Sequence, residues 1–219
     1  MPKIYHNGVV PISKLRFDQL QKLDNETFVK PLDLLFSYSE IVGFTMEYAG
    51  SDYFPFSALF NRSFCQRNAI SDKFKTTIAN KLIEAVKQAH FNGFVIGDLN
   101  QYNVLVNKSG DIKLIDVDSY ETPGHKHTGI LLDEIRDYYY KGIVSMNSDY
   151  FALSVLLFYL LTYTHPFKGV HEKYKSLAER MILQLPVFVN DSLLKVPKCF
   201  EPIQDKNIQG KFEKMYRKW

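Results

Sequence analysis

Cysteine is scarce in this 219-residue sequence. Cys65 and Cys199 are the two present, and without metal-type spacing they read as reduced thiols of a cytosolic chain rather than a disulfide scaffold or a zinc site. An excess of charge of one sign is also missing: 27 Lys and Arg stand against 24 Asp and Glu, a formal net charge of +3. So weak a field gives no reason to expect a nucleic-acid partner or an anionic membrane. The most apolar run, Phe151 to Leu161, is too short to span a bilayer, and the start, Met1-Pro2-Lys3-Ile4-Tyr5-His6, lacks the apolar core of a secretory signal. Repeats, low-complexity tracts and Gly/Ser- or Pro-rich linkers are absent, so any division of the chain must cross a short connection. A cytoplasmic protein with no membrane partner is the expectation.

What is present is the composition of a packed chain, 46% hydrophobic and 15% aromatic, enough for one domain or two lobes sharing a core. Ile12, Leu15, Leu20 and Leu23 predict an amphipathic helix. Phe28 to Leu35 and Ile41 to Tyr48 predict an antiparallel pair turning at Ser37-Tyr38-Ser39-Glu40. Ala49-Gly50-Ser51-Asp52 is the best connection between two parts. Beyond it, Phe74, Ile78, Leu82, Ala85, Val86 and Ala89 mark one face of a long helix capped by Ser71. Phe94-Val95-Ile96, a polar loop, Asn103 to Val106 and Ile112 to Ile115 follow. Tyr150 to Tyr163, apolar almost all round, predicts a buried helix starting near Ser148-Asp149, and Pro186, Pro197 and Pro202 break the remainder into helices and loops.

The chemistry concentrates in two segments. Ile96-Gly97-Asp98-Leu99-Asn100-Gln101-Tyr102-Asn103 sets an Asp and an Asn five positions apart on one loop, and the strand ending at Ile115 delivers Asp116. Carboxylate and amide oxygens brought together at strand tips suit a hard cation such as magnesium, with one carboxylate left to orient a nucleophile.

These segments resemble the catalytic loop and metal-binding loop of the protein kinases. Ser148 to Leu157 and Leu160 to Phe167 are similar to the buried helix and following loop of a kinase large lobe. The wording Gly-Asp-Leu-Asn and Asp-Val-Asp-Ser is closest to a bacterial and phage group of that family. Val42 to Tyr48 resembles the kinase strand and hinge, with Met46 as gatekeeper and Glu47 and Tyr48 on the hinge, and Lys3 falls where a kinase lysine reaches the nucleotide phosphates. The resemblance implies an α+β bilobal kinase-like fold. Residues 1–49 would form a shortened small lobe and residues 50–219 a helical large lobe. It implies ATP and Mg2+ as cofactors, bound by Lys3, Met46, Glu47, Tyr48 and Asp116, with Asn103 and Asp116 on the metal, Lys3 neutralising phosphate charge, and Asp98 and Asn103 as catalytic residues, Asp98 accepting or orienting the proton of the substrate hydroxyl. The function implied is phosphate transfer to Ser or Thr of proteins.

Departures from the family pattern keep a second reading open. No residues ahead of Lys3 form a Gly-rich phosphate loop, which also leaves a sheet edge to be covered by a partner chain, self-association or an upstream segment. The helix around Ile12 to Leu23 offers no Glu for Lys3, only Asp18, with Glu26 beyond it. Ile96 and Gly97 stand where His and Arg are usual. Asn100 replaces a lysine. Asp118 replaces a glycine, a position where Asp tolerates left-handed backbone. Asp133-Glu134-Ile135 stands as a remnant of the usual Ala-Pro-Glu. The alternative is therefore a pseudokinase, a kinase-shaped binding or scaffolding module. Asp149 reads as a helix cap or a brace for the Asp98 loop, and His125 and His127 as solvated. The tail from Lys211 to Trp219 reads as a docked helix with a basic outer face.

Overall fold

The computed structural model of the chain describes residues 1–6, 8–24 and 26–216. Its first part is a three-stranded antiparallel sheet with one helix. Pro2–Ile4 (β1) is followed by helix Lys14–Leu20 (α1) and the hairpin Pro31–Ser37 (β2) and Glu40–Met46 (β3). The strand order is β1-β3-β2, with Lys3 opposite Phe44 and Ile4 opposite Gly43. A Cβ on residue 43 would lie 2.2 Å from the Lys3 carbonyl oxygen. Only glycine therefore lets β1 close onto β3.

Helix α1 is shorter than its apolar pattern predicts. Ser13 caps it by accepting the Arg16 N–H, while Lys30 donates to the carbonyls of Gln21 and Leu23 at 2.9 and 2.5 Å, meeting acceptors that the helix end leaves open. Ile12, Leu20 and Leu23 are buried as expected, but Leu15 is exposed, and the helix turns Arg16 inward instead.

After the loop that follows Met46, the second part opens with Phe54–Pro55 (β4), a 3-10 turn at Phe56–Phe60 and helix Arg62–Arg67 (α2). The long helix Asp72–Phe91 (α3) has Ser71 as its cap, accepting the Phe74 N–H. It buries Ile78, Leu82, Ala85, Val86 and Ala89 on one stripe, each large side chain contributing roughly 1.5–3 kcal/mol of apolar burial. Strands Val104–Val106 (β5) and Ile112–Leu114 (β6) pair antiparallel, with β4 on the outer side of β5. Phe94-Val95-Ile96 is no strand; Val95 makes a single bridge to Glu121.

The buried helix spans Met146–Thr162 (α4), starting earlier than predicted because Ser145 and Ser148 form a reciprocal capping box. Asp149 consequently lies within the first turn and is no cap. Ser154 and Thr162 return their hydroxyls to the carbonyls of Phe151 and Phe158, so the two polar side chains are satisfied in the core. Val170–His171 (β7), helix Leu177–Ile182 (α5), Leu194–Lys195 (β8) and helix Lys206–Tyr216 (α6) complete the described chain. The β7–β8 pair is two residues per strand, too short to leave a sequence pattern. Phe212 and Tyr216 dock α6 against Phe158, which agrees with the expected docked helix; Arg217, Lys218 and Trp219 lie outside the described residues. Cys65 and Cys199 are both free thiols, and among the described residues no helix is long and apolar enough to cross a membrane.

His165, just past α4, is buried with both ring nitrogens bonded: Nε2 to the Glu134 carbonyl at 2.7 Å and Nδ1 accepting the Phe167 N–H at 3.1 Å. That arrangement requires the neutral ring, and burial lowers its pKa from 6.5 to about 4. The unfolded chain takes up its proton first as pH falls. The linked stability is complete above about pH 6.5 and has dropped by about 3 kcal/mol at pH 4. In urea unfolding, His165→Asn is expected to start less stable at pH 7 and to lose less between pH 7 and 4 than the wild type. Parallel losses would contradict the neutral assignment.

Candidate active site

Lys3, Tyr5, Arg16, Asp98, Asp116 and Asp118 line one cavity of about 790 Å³ where the sheet faces the loops before β5 and after β6. Strand β1 brings Lys3 to its roof, and the ammonium lies 5.6 Å from the Phe44 ring centroid on the neighbouring strand.

The loop carrying Asp98 is held from beneath. Asp149 is fully buried, and its carboxylate accepts the Ile96 N–H at 2.7 Å, the Gly97 N–H at 2.8 Å and His90 Nε2 at 2.9 Å. The brace anticipated for Asp149 is thus present. Gly97 has φ +74°, and a Cβ there would meet His127 Cδ2 at 2.2 Å. His127 fills the space that the missing side chain leaves; it is half-buried, and burial lowers its pKa. His125 bonds Ser13 Oγ at 2.8 Å. Neither histidine is simply solvated: the folded chain draws both under α1 and the Asp98 loop.

Asp98 itself is held by two amides. Asn100 Nδ2 donates to its Oδ1 at 2.8 Å and Asn103 Nδ2 to its Oδ2 at 3.1 Å, while Asn100 Oδ1 accepts the N–H groups of Tyr102 and Asn103. Burial raises the Asp98 pKa, the two amide bonds oppose that shift, and the charge of Asp116 adds to it. The outcome is an oriented carboxylate with more basicity than an exposed one.

Across the cavity, Lys3 Nζ lies 3.0 Å from Asp116 Oδ1 and 2.9 Å from Asp118 Oδ1. Burial works against the ammonium charge, yet Asp118 and then Asp116 outweigh it and raise the lysine pKa. The left-handed residue of this loop is Asp116, at φ 57°. Asp118 lies in the 3-10 turn Val117–Ser119, so its place there does not depend on left-handed backbone.

Of the residues singled out from the sequence, Lys3, Asp98 and Asp116 share the cavity and Asn103 supports Asp98. Met46, Glu47 and Tyr48 are not among the cavity's lining. The Met46 N–H donates to the Met1 carbonyl at 2.8 Å, and Tyr48 is exposed. Glu47 pairs with Lys113 at 2.9 Å, beside a separate cavity of about 1000 Å³. That larger space holds two lysine–carboxylate pairs, Lys113 with Glu47 and Lys81 with Asp111 at 2.9 and 2.8 Å, and neither Lys3, Asp98 nor Asp116 lines it. Sequence reasoning placed Asp118 as an added carboxylate near the metal but missed its pairing with Lys3, the hold of Asn100 on Asp98 and the place of His127 against Gly97. A glycine in the loop, with a histidine downstream, was the one available signal for the Gly97–His127 contact. Gly97→Ala is expected to cost about 2–4 kcal/mol in chemical denaturation, from backbone strain plus the clash. In a His127→Ala background the cost should fall to about 1–2 kcal/mol, the strain alone. An undiminished cost would deny the contact.

The protein kinase domain family model matches residues 17–209. Over 99 residues, 42% of this chain, the sequence is 29% identical to the serine/threonine-protein kinase PrkC of Bacillus subtilis (strain 168), a stretch that spans 15% of that protein. The fold is similar to a chain in the crystal structure of the yeast RNA Pol II CTD kinase CTDK-1 complex. The TM-score is 0.55 at 20% identity, covering 78% of this chain and 57% of that one. The mixed architecture of a small sheet followed by a mainly helical part fits that likeness. With the family model spanning most of its length, this chain belongs to the protein kinase family.

Proposed function

We propose that the protein is an ATP- and Mg2+-dependent phosphotransferase acting on Ser or Thr hydroxyls of other proteins. The observation that carries this is the meeting of Lys3, Asp98 and Asp116 around one cavity, from three separated parts of the chain. The name of the Bacillus subtilis relative supports the choice of Ser or Thr.

The donor set fits the cofactors. Among the described residues no three His, Cys, Asp or Glu side chains form a metal cage. Mg2+ takes one or two carboxylates and completes its octahedron with water and phosphate oxygens, so the Asp116 carboxylate and the Asn103 amide oxygen suffice as protein donors. Asp116 and Asn103 would hold the metal and Lys3 the phosphates; bound Mg2+ supplies neutralisation of phosphate charge. Glu47 and Tyr48 would border the adenine through their backbone, with Met46 as the gatekeeper beside them. Asp98, oriented by Asn100 and Asn103, would accept the substrate hydroxyl proton. In this reading residues 1–49 act as a shortened small lobe over residues 50–219, and the two free thiols favour a cytoplasmic setting.

Calorimetry of ATP with Mg2+ on the wild type and Asp116→Ala, followed by labelled phosphate transfer to protein, tests the proposal. Expected are binding that Asp116→Ala abolishes, and transfer that Asp98→Asn lowers by about 10²–10⁴-fold with binding retained. Wild-type protein that binds no ATP would sink it. The second reading, a pseudokinase module, is favoured by one feature: Lys3 is already engaged by both Asp116 and Asp118.

The partner surface we propose is the outer edge of β1, where the sheet ends and Met1 and Ile4 are exposed. A photo-crosslinker at Ile4 should then capture a substrate or partner chain that one at exposed Leu183 does not. Equal capture would argue against the edge.

A further inference from the structure

Resting on the phosphotransferase reading, we propose that Asp118 is the residue that positions Lys3, taking the place of a carboxylate that α1 does not provide and leaving Asp116 open for the metal.

The two carboxylates on Lys3 are equivalent by distance, 2.9 and 3.0 Å, and unlike in every other respect. The Asp118 side chain is 10% exposed and that of Asp116 50%. A buried carboxylate is costly without a permanent partner, whereas a half-exposed one is hydrated when its partner leaves. Asp118 also has a second contact, from the residue that follows β1: its Oδ2 accepts from Tyr5 Oη at 3.4 Å. Burial and then the Asp118 charge raise the Tyr5 pKa, so the phenol remains a donor. Tyr5 is fixed in turn by its N–H to the Val42 carbonyl at 3.0 Å and by an edge contact with Phe44. Asp118 thereby holds Lys3 on β1 and Tyr5 just after it.

Helix α1 carries the opposite charge from the one Lys3 needs. Its acidic residue, Asp18, faces solvent and pairs with Lys14 at 2.6 Å. Its buried charged residue is Arg16, whose guanidinium donates to the Tyr120 carbonyl and feels the Asp118 charge. Asp118 thus pairs with a cation from the sheet, Lys3, and shares the cavity with one from the helix, Arg16, the electrostatic inverse of a helix carboxylate reaching for a strand lysine. Helix α1 packs on the Val117–Ser119 turn that carries Asp118. Lys3 consequently has a partner that does not compete with metal ligation at Asp116.

A double-mutant cycle of Lys3→Met and Asp118→Asn tests this, read in ADP affinity by calorimetry at fixed Mg2+ and in thermal unfolding without nucleotide. Asp118→Asn is expected to weaken ADP by about tenfold alone and to have little further effect beside Lys3→Met. The Mg2+ concentration for half-maximal binding should stay unchanged, and Asp118→Glu should recover part of the affinity. Should Asp118→Asn not fold, Asp118→Glu runs through the same cycle. Additive effects would overturn the proposal, and so would a raised Mg2+ requirement in Asp118→Asn, which would make Asp118 a metal ligand. If wild-type protein binds no ADP, the phosphotransferase reading fails by itself. The unfolding cycle then decides the pair, coupling upholding it and additivity overturning it.

Discussion

Asp149 lies at zero exposure in the first turn of α4, where an unpaired carboxylate would be prohibitively costly. The three donors that offset this cost come from α3 and from the Asp98 loop. One charge therefore fastens two core helices to the loop of greatest chemical interest. Removing it would leave two buried backbone N–H groups and a histidine without acceptors, a loss in the range of about 3–5 kcal/mol seen when buried pairs are broken. The apolar surroundings, Ile96, Leu99 and the inner face of α4, make the bonds strong by keeping water out.

Above that anchor the site is organised by charge sharing. Two amides hold Asp98 from its own loop, while Lys3 bridges Asp116 and Asp118 from the opposite wall. Partners within the same loop need little chain closure and fix orientation cheaply. Those across the cavity tie the sheet to the helical part, so the position of β1 on β3 enters directly into the geometry at Asp116.

The parts of this arrangement that were legible in the sequence are local ones. Asp98, Asn103 and Asp116 follow from spacing along one loop and one strand, and α3 from a single apolar stripe with its Ser71 cap. Helix α1 was overextended, because Ile12 and Leu23 pack on the core from outside the helix ends and imitate its periodicity. Contacts between distant segments left no pattern to read. The Lys3–Asp118 pair joins residues 115 positions apart, and Gly97 meets His127 only after the chain has folded back. The orientation of Glu47 toward Lys113 is of the same kind, since nothing in Met46-Glu47-Tyr48 states which side of the connection each side chain takes.

Helix α1 is stitched to the stretch that follows the Asp116 loop at three points: Arg16 to the Tyr120 carbonyl, Gln19 to Thr122 Oγ1 and the Pro123 carbonyl, and Ser13 to His125. Such stitching makes the helix and that stretch a single mechanical piece, with the turn bearing Asp118 at its inner end. Displacing α1 would therefore carry with it the turn whose Asp118 carboxylate lies 2.9 Å from Lys3.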